Sequence, residues 1–132
     1  MQVPGVDELT EGDPREVVRT NALLKARAAS AAERALGVDT AVVLEGRIFG
    51  KPGDAAEAAS FLRALSGRTH EVLSGIALVE ADGRETADVQ VTRVRMRALD
   101  RGLLDWYLDT GEWAERAGGY AIQGKGLSLI HI

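Results

Sequence analysis

The sequence predicts an α/β fold: a single domain with a mixed, twisted sheet and flanking helices. Three observations carry that expectation. Three stretches of helical apolar spacing each open on an aspartate able to cap a helix, at Asp13, Asp54 and Asp100. Between them lie runs of strand character, Val38 to Leu44 and His70 to Glu80. Two dipeptides, Glu45-Gly46 and Asp82-Gly83, are able to turn those runs back as hairpins. Helices interspersed with hairpins make an α/β domain with a mixed sheet.

The elements follow in order. Asp13-Pro14-Arg15-Glu16 reads as a helix start, with Pro14 at the first helical position and Glu16 completing a capping box. That helix is expected to run to about Leu36, with Gly37 as its stop and Val18, Ala22, Ala29, Ala32 and Leu36 as its inward stripe. Lys25 falls on the same stripe and is out of pattern there. A buried strand over Val38–Leu44 turns into a short strand, Arg47 to Phe49, which Gly50-Lys51-Pro52 breaks. Asp54 and Glu57 form a second capping box. Ala58, Phe61, Leu62 and Leu65 line the helix that follows, and Gly67 ends it.

In the second hairpin the returning strand carries Val89, Val91, Val94 and Met96, with Arg93, Arg95 and Arg97 interleaved. The alternation slips between Val91 and Val94, the signature of a bulge. Asp100 opens a third helix with Leu103, Leu104, Tyr107 and Leu108 inward and Gly111 closing it. Gly118 to Gly126 is a glycine-rich loop. No repeat, low-complexity tract or linker divides the chain.

Composition narrows the function. The 132 residues are 45% hydrophobic and 27% charged, as in a soluble globular protein. Cysteine is absent, which removes disulfides, thiolate metal sites and thiol nucleophiles and suits a reducing cytosol. A formal charge of −4 argues against broad neutralisation of nucleic-acid phosphates. A small phosphorylated ligand needs only a few placed cations. No basic-then-apolar leader opens the sequence, and no apolar run approaches membrane-spanning length. The expectation is a cytoplasmic protein with no nucleic-acid or membrane partner.

Several polar residues are not required by local structure. Asp39 opens a buried strand, where an unpaired carboxylate is costly. Lys25 points along an alanine face, Lys51 stands at a hairpin end, Glu8 precedes the first helix, and Gln123 lies in the glycine loop. Two carboxylates, two lysines and an amide suit a metal ion and a polyphosphate. Each has a plainer reading. Asp39 is also what a satisfied strand-end carboxylate looks like. On spacing alone Lys25 and Lys51 read more readily as solvated or snorkelling lysines than as catalytic ones, and Glu8 reads as a complement to the helix dipole. Gly124-Lys125-Gly126 lacks the spacing and hydroxyl of a Walker loop. The arginine-bearing strand reads as a solvated face, since aromatics make up only 5% of the chain. His70 supports no Ser-His-Asp order. The residues taken alone reach an α/β domain with a phosphate or metal site.

Read together, three segments resemble the Maf family. Gly37-Val38-Asp39-Thr40-Ala41-Val42-Val43-Leu44-Glu45-Gly46-Arg47-Ile48-Phe49-Gly50-Lys51-Pro52 is similar to the family's strand with Asp-Thr or Asp-Ser, its hairpin and its Gly-Lys-Pro. Leu65-Ser66-Gly67-Arg68-Thr69-His70-Glu71-Val72 resembles its Leu-Ser-Gly-x-x-His segment. Ala117-Gly118-Gly119-Tyr120-Ala121-Ile122-Gln123-Gly124 resembles its Ala-Gly-x-Tyr-x-Ile-Gln-Gly loop. Val6-Asp7-Glu8 and Lys25-Ala26 fit its earlier segments, and the matches keep their order along nearly the whole chain.

The resemblance implies a fold like that of Maf and inosine triphosphate pyrophosphatases. It also implies hydrolysis of a nucleoside triphosphate to the monophosphate and pyrophosphate with a divalent cation, Mg²⁺ or Mn²⁺. Asp39 would be the general base and, with Glu8, would hold the metal. Lys25 and Lys51 would neutralise phosphate charge, and Thr40 and Gln123 fall on positions linked to substrate choice. The Ser-Gly-Arg-Thr-His form is closer to the branch acting on dTTP and UTP than to the one acting on methylated GTP. A homodimer fits the family. The competing expectation is a non-catalytic nucleotide-binding protein or a regulator of septum formation.

The resemblance departs at both ends. Family members begin with a strand and a Ser-x-Ser-Pro-Arg-Arg loop and continue past the glutamine loop through another strand, an Asp-Tyr-Ser-Asn-Val-type segment and a helix. Met1 stands just before the Val-Pro-Gly-Val-Asp-Glu segment, and Leu127 to Ile132 match poorly. The expectation is a chain shortened at both ends, by a truncated reading frame or a junction. Without the arginine loop it would be poorly active, and with an uncovered sheet edge poorly soluble.

Overall fold

The computed structural model describes residues 9, 11–29, 34–114, 116–120 and 129. In chain order these form α1 (Pro14–Ala29), β1 (Ala35–Leu44), β2 (Arg47–Phe49), α2 (Ala55–Leu65), β3 (Thr69–Val79), β4 (Glu85–Arg95) and α3 (Arg101–Asp109), followed by a single 3₁₀ turn at Ala117–Gly119. The class is α/β, as expected. The strands make a four-stranded antiparallel sheet in the order β2-β1-β3-β4. Among the described residues no parallel pair completes the mixed sheet that the sequence suggested.

The hairpins form where the turn residues dictate. Glu45 and Gly46 both take positive φ, 51° and 82°, the backbone twist that suits a two-residue hairpin turn. They bring Val42 opposite Phe49, Val43 opposite Ile48 and Leu44 opposite Arg47. At the second turn Gly83 has a φ of 91°, and the Glu80 N–H donates to the Arg84 carbonyl at 2.8 Å.

Contacts gather in two compact units: residues 1–41 with 72–92, and residues 42–71 with 93–132. The buried phase of β4 slips at Thr92 and Arg93, both exposed, between partly buried Val91 and buried Val94. That is where the sequence alternation breaks, and it is also where one unit gives way to the other.

In the first unit α1 packs its apolar face on the sheet. Ala22, Leu23 and Ala26 meet Ala77 and Val79, with Ala87 alongside. Small residues let the helix come close. A Cβ on Gly37 would stand 2.0 Å from the Ala22 carbonyl oxygen, and one on Gly75 would stand 2.2 Å from that of Val18. Gly37 is therefore not the helix stop expected from the sequence. It lies inside β1, and described α1 ends at Ala29. Leu36 is an exposed strand residue and Ala29 is exposed, so neither lies on the inward stripe, and Ala32 lies outside the described residues. The expected capping box at Asp13 is also altered, since its carboxylate accepts from the Arg15 N–H at 3.1 Å rather than from that of Glu16.

In the second unit α2 packs against α3 and the 3₁₀ turn. Asp54 caps α2 by accepting the Glu57 N–H at 2.8 Å, and Glu57 accepts that of Gly53 at 3.1 Å. Gly67, with a φ of 69°, follows the helix end as expected. Phe49 and Phe61 meet edge to face at 5.2 Å between ring centres, an arrangement that adds to burial. Asp100 caps α3 through the Leu103 N–H at 2.8 Å, and Leu104 and Tyr107 turn inward. No helix among the described residues is long and apolar enough to cross a membrane.

Candidate active site

The first unit gathers polar side chains where α1 faces the start of β1. Lys25 lies on the buried side of α1, and its stem follows the alanine face to the strand. There its Nζ donates to Asp39 Oδ1 at 2.9 Å and to the Val38 carbonyl at 3.3 Å. Both side chains of the pair are nearly enclosed, at 11% and 12% exposure. The lysine that broke the apolar pattern is thus the counter-charge of the carboxylate that broke the strand pattern. Each answers the cost of burying the other.

Asp39 Oδ2 has its own donor. Asn21, one turn before Lys25 on α1 and only 2% exposed, gives it an amide N–H at 3.2 Å. The rest of that amide is occupied by Leu9, whose N–H reaches Asn21 Oδ1 at 2.7 Å and whose carbonyl accepts from Nδ2 at 2.9 Å. Every amide group of Asn21 is therefore satisfied, and each Asp39 oxygen holds one donor while keeping lone-pair capacity. Two donors on two different oxygens fix the plane of the carboxylate. Sequence reasoning did not single out Asn21. Its signal was available: it stands four residues before Lys25, and so on the same helical face. Thr40, beside Asp39, is exposed on β1.

The second unit holds Lys51 and the described part of the glycine loop. Lys51 is exposed just beyond β2. The residue before it, Gly50, accepts the Gly118 N–H at 3.0 Å, which ties the loop backbone to the hairpin end. Gly118 turns with a φ of 69°, and its Cα lies against Val42, where a Cβ would come within 3.0 Å of a side-chain methyl. Buried Tyr107 donates its hydroxyl to the Gly119 carbonyl at 3.0 Å. Tyr120 closes the loop by a hydrogen bond between its hydroxyl and Nε2 of buried His70. Burial pushes the His70 imidazole below its ordinary pKa and pushes the Tyr120 phenol up, with neighbouring Tyr107 adding to the latter. His70 Nδ1 has no partner among the described residues. His70, Tyr107 and Tyr120 form a clamp on the loop, which is a use for the histidine that a search for triads does not find.

Glu8 and Gln123 lie outside the described residues. Among the described residues no three His, Cys, Asp or Glu side chains come together as a metal centre. Asp39 keeps lone-pair capacity on both oxygens, and Mg²⁺ is commonly held by one or two carboxylates with waters and substrate phosphates completing its shell.

The family described as Maf-like protein matches residues 1–132. The chain is 46% identical to the dTTP/UTP pyrophosphatase of Symbiobacterium thermophilum, over 97% of this chain and 68% of that protein. It is 45% identical to the nucleoside triphosphate pyrophosphatase of Xylella fastidiosa strain M23, over 98% and 71%. It is 40% identical to the dTTP/UTP pyrophosphatase of Pyrococcus furiosus, over 96% and 68%.

Proposed function

The chain belongs to the Maf-like protein family, and from that premise we propose that it hydrolyses nucleoside triphosphates to the monophosphate and pyrophosphate, with dTTP and UTP preferred. The observation that supports this most is the enclosed Lys25–Asp39 pair with Asn21 on the second oxygen. An oriented carboxylate with lone-pair capacity can take a proton from water as the water oxygen bonds to the α-phosphorus. The bond from that phosphorus to the bridging oxygen breaks, and pyrophosphate leaves with the electron pair. Lys25, beside Asp39, offsets charge moving toward the leaving group, and Lys51 is assigned a phosphate contact of the same kind. Thr40 and Gln123 are assigned to substrate choice.

Asp39 and Glu8 would hold Mg²⁺ or Mn²⁺, which when bound supplies charge neutralisation on the phosphate oxygens. The same proposal includes a cytoplasmic location, where nucleotide pools lie, and a homodimer, which sedimentation would read. The test is pyrophosphate release from dTTP, UTP, CTP and GTP, by the unaltered chain and by Asp39→Asn. The expected outcome is faster release from dTTP and UTP, with a fall of roughly 100-fold or more in Asp39→Asn and nucleotide affinity kept. Nucleotide affinity without any release, by this chain and by a version carrying the family's arginine loop, would overturn the enzymatic reading in favour of a binding or regulatory protein.

A further inference from the structure

The second unit contains a cavity that the proposed chemistry does not use. It has a volume of about 280 Å³ and is lined by Leu44, Glu45, Arg47 and Phe49 of the β1–β2 hairpin, by Arg63 and Ala64 of the last turn of α2, and by Arg68 just beyond that helix. Of its lining residues Leu44 and Phe49 are buried and apolar. Three arginines and a single glutamate are among its lining residues.

Each arginine stands on a fixed part of the fold. The Arg47 guanidinium lies 4.3 Å above the centre of the Phe49 ring, a cation–π contact that holds it at the cavity. Arg68 is anchored through its backbone, which donates to Leu65 at 3.1 Å and accepts from Met96 at 3.0 Å. Its side chain reaches Glu45 at only 3.5 Å, and Glu45 itself is 78% exposed. Arg63 makes no ion pair recorded among the described residues. Three arginines thus line one concavity of a chain whose net charge is −4. The end of α2 contributes about half a negative charge at most, and Glu45 contributes one, so the cavity remains positive.

We propose that this cavity is an anion site for a small phosphorylated ligand carrying at least two negative charges. Guanidinium forks match phosphate oxygens two at a time, and the volume suits a ligand of pyrophosphate size rather than a large cofactor. The site shares no lining residue with the assigned catalytic groups and stands independently of the function proposed above.

The test is a titration of the isotopically labelled chain with inorganic pyrophosphate, at constant ionic strength and without divalent metal, followed by NMR. Inorganic phosphate and sulfate serve as comparison anions. Saturable shifts are expected at Phe49 and at the Arg47, Arg63 and Arg68 side chains, with pyrophosphate at least tenfold tighter than sulfate. Arg63→Gln with Arg68→Gln should weaken pyrophosphate at least tenfold, whereas Lys51→Ala should leave these shifts in place. Should the glutamine pair unfold, Arg63→Lys with Arg68→Lys keeps the charge, loses the fork and should still weaken binding several-fold. Shifts that grow without saturation, equal response to sulfate, or loss of the signals in Lys51→Ala would each overturn the site.

Discussion

The two polar regions of this molecule are built from opposite materials. In the first unit a carboxylate is positioned by side chains, Lys25 on one oxygen and Asn21 on the other. In the second unit it is backbone that is positioned, with a glycine turn held by a carbonyl of Gly50, a tyrosine hydroxyl and a tyrosine–histidine pair. A side-chain constellation depends on the helix and strand approaching at the right distance. A backbone cradle depends on rings that fill the space beneath it. The two should therefore fail differently, the first through steric change at its small residues and the second through loss of individual hydrogen bonds.

The largest effect should come from Gly37→Ala. The added Cβ would sit 2.0 Å from the Ala22 carbonyl oxygen and 2.6 Å from the Ala26 nitrogen, both of them backbone atoms of α1. Backbone cannot swing aside as a side-chain end can, so the helix must lift from β1. A loss of about 3 kcal/mol or more is expected in urea unfolding, at the upper end of the overpacking range. Asp39 would lose its counter-charge in the same step. Gly118→Ala should cost less, about 1–2 kcal/mol for the left-handed backbone, because its close contacts are with the side chain of Val42 rather than with backbone. Equal losses at the two glycines would break the contrast between the regions.

Next in size is Asn21→Leu, which preserves shape and removes the amide. The backbone of Leu9 loses both partners and Asp39 loses one donor, with a cost of roughly 1–3 kcal/mol for groups left unpaired. The sharper readout is NMR at Leu9, whose amide should lose its hydrogen-bond protection while α1 stays protected. Unchanged exchange at Leu9 would show that Asn21 does not hold this segment.

What the sequence disclosed follows the same division. Local rules found β2, the α2 cap at Asp54, the α3 cap at Asp100 and both hairpin turns, because turn and cap chemistry acts within a few residues. They overran α1, because alanine-rich sequence and a glycine at position 37 look like a helix with its stop. Only the packing of β1 on Ala22 and Ala26 reveals the glycine as an approach point. Lys25 and Asp39 stood out because each violated its own element's pattern. Asn21 did not, since one asparagine on a helix face needs no explanation until its partners at positions 9 and 39 are known. His70 was equally mute, because its partner lies fifty residues away at Tyr120.

That distant pair gives the clamp a pH dependence. Burial lowers the pKa of His70 in the folded chain, so between the unfolded value of about 6.5 and the lower folded one the unfolded chain binds the extra proton. Stability from the neutral imidazole is complete above pH 6.5 and is lost as pH falls toward the folded value. Urea midpoints of the parent should accordingly decline from pH 7 toward pH 5. In His70→Phe that part of the decline should vanish, even if the variant is less stable throughout. An unchanged slope would mean that other groups carry the acid sensitivity.

The smallest effect should be that of Tyr107→Phe. The ring stays, so the packing of α3 is kept, and only the hydroxyl donated to the Gly119 carbonyl is lost. That carbonyl is buried and has no other donor recorded among the described residues, so a cost of about 1 kcal/mol is expected. Tyr120→Phe should cost a similar amount by releasing His70 Nε2, which leaves the imidazole with neither nitrogen paired among the described residues. If both hydroxyls hold one rigid turn, the double variant should lose less than the sum of the singles, because the second loss acts on a loop already released. Strict additivity would show two independent contacts, and the clamp would reduce to two tyrosines that happen to end near the same backbone.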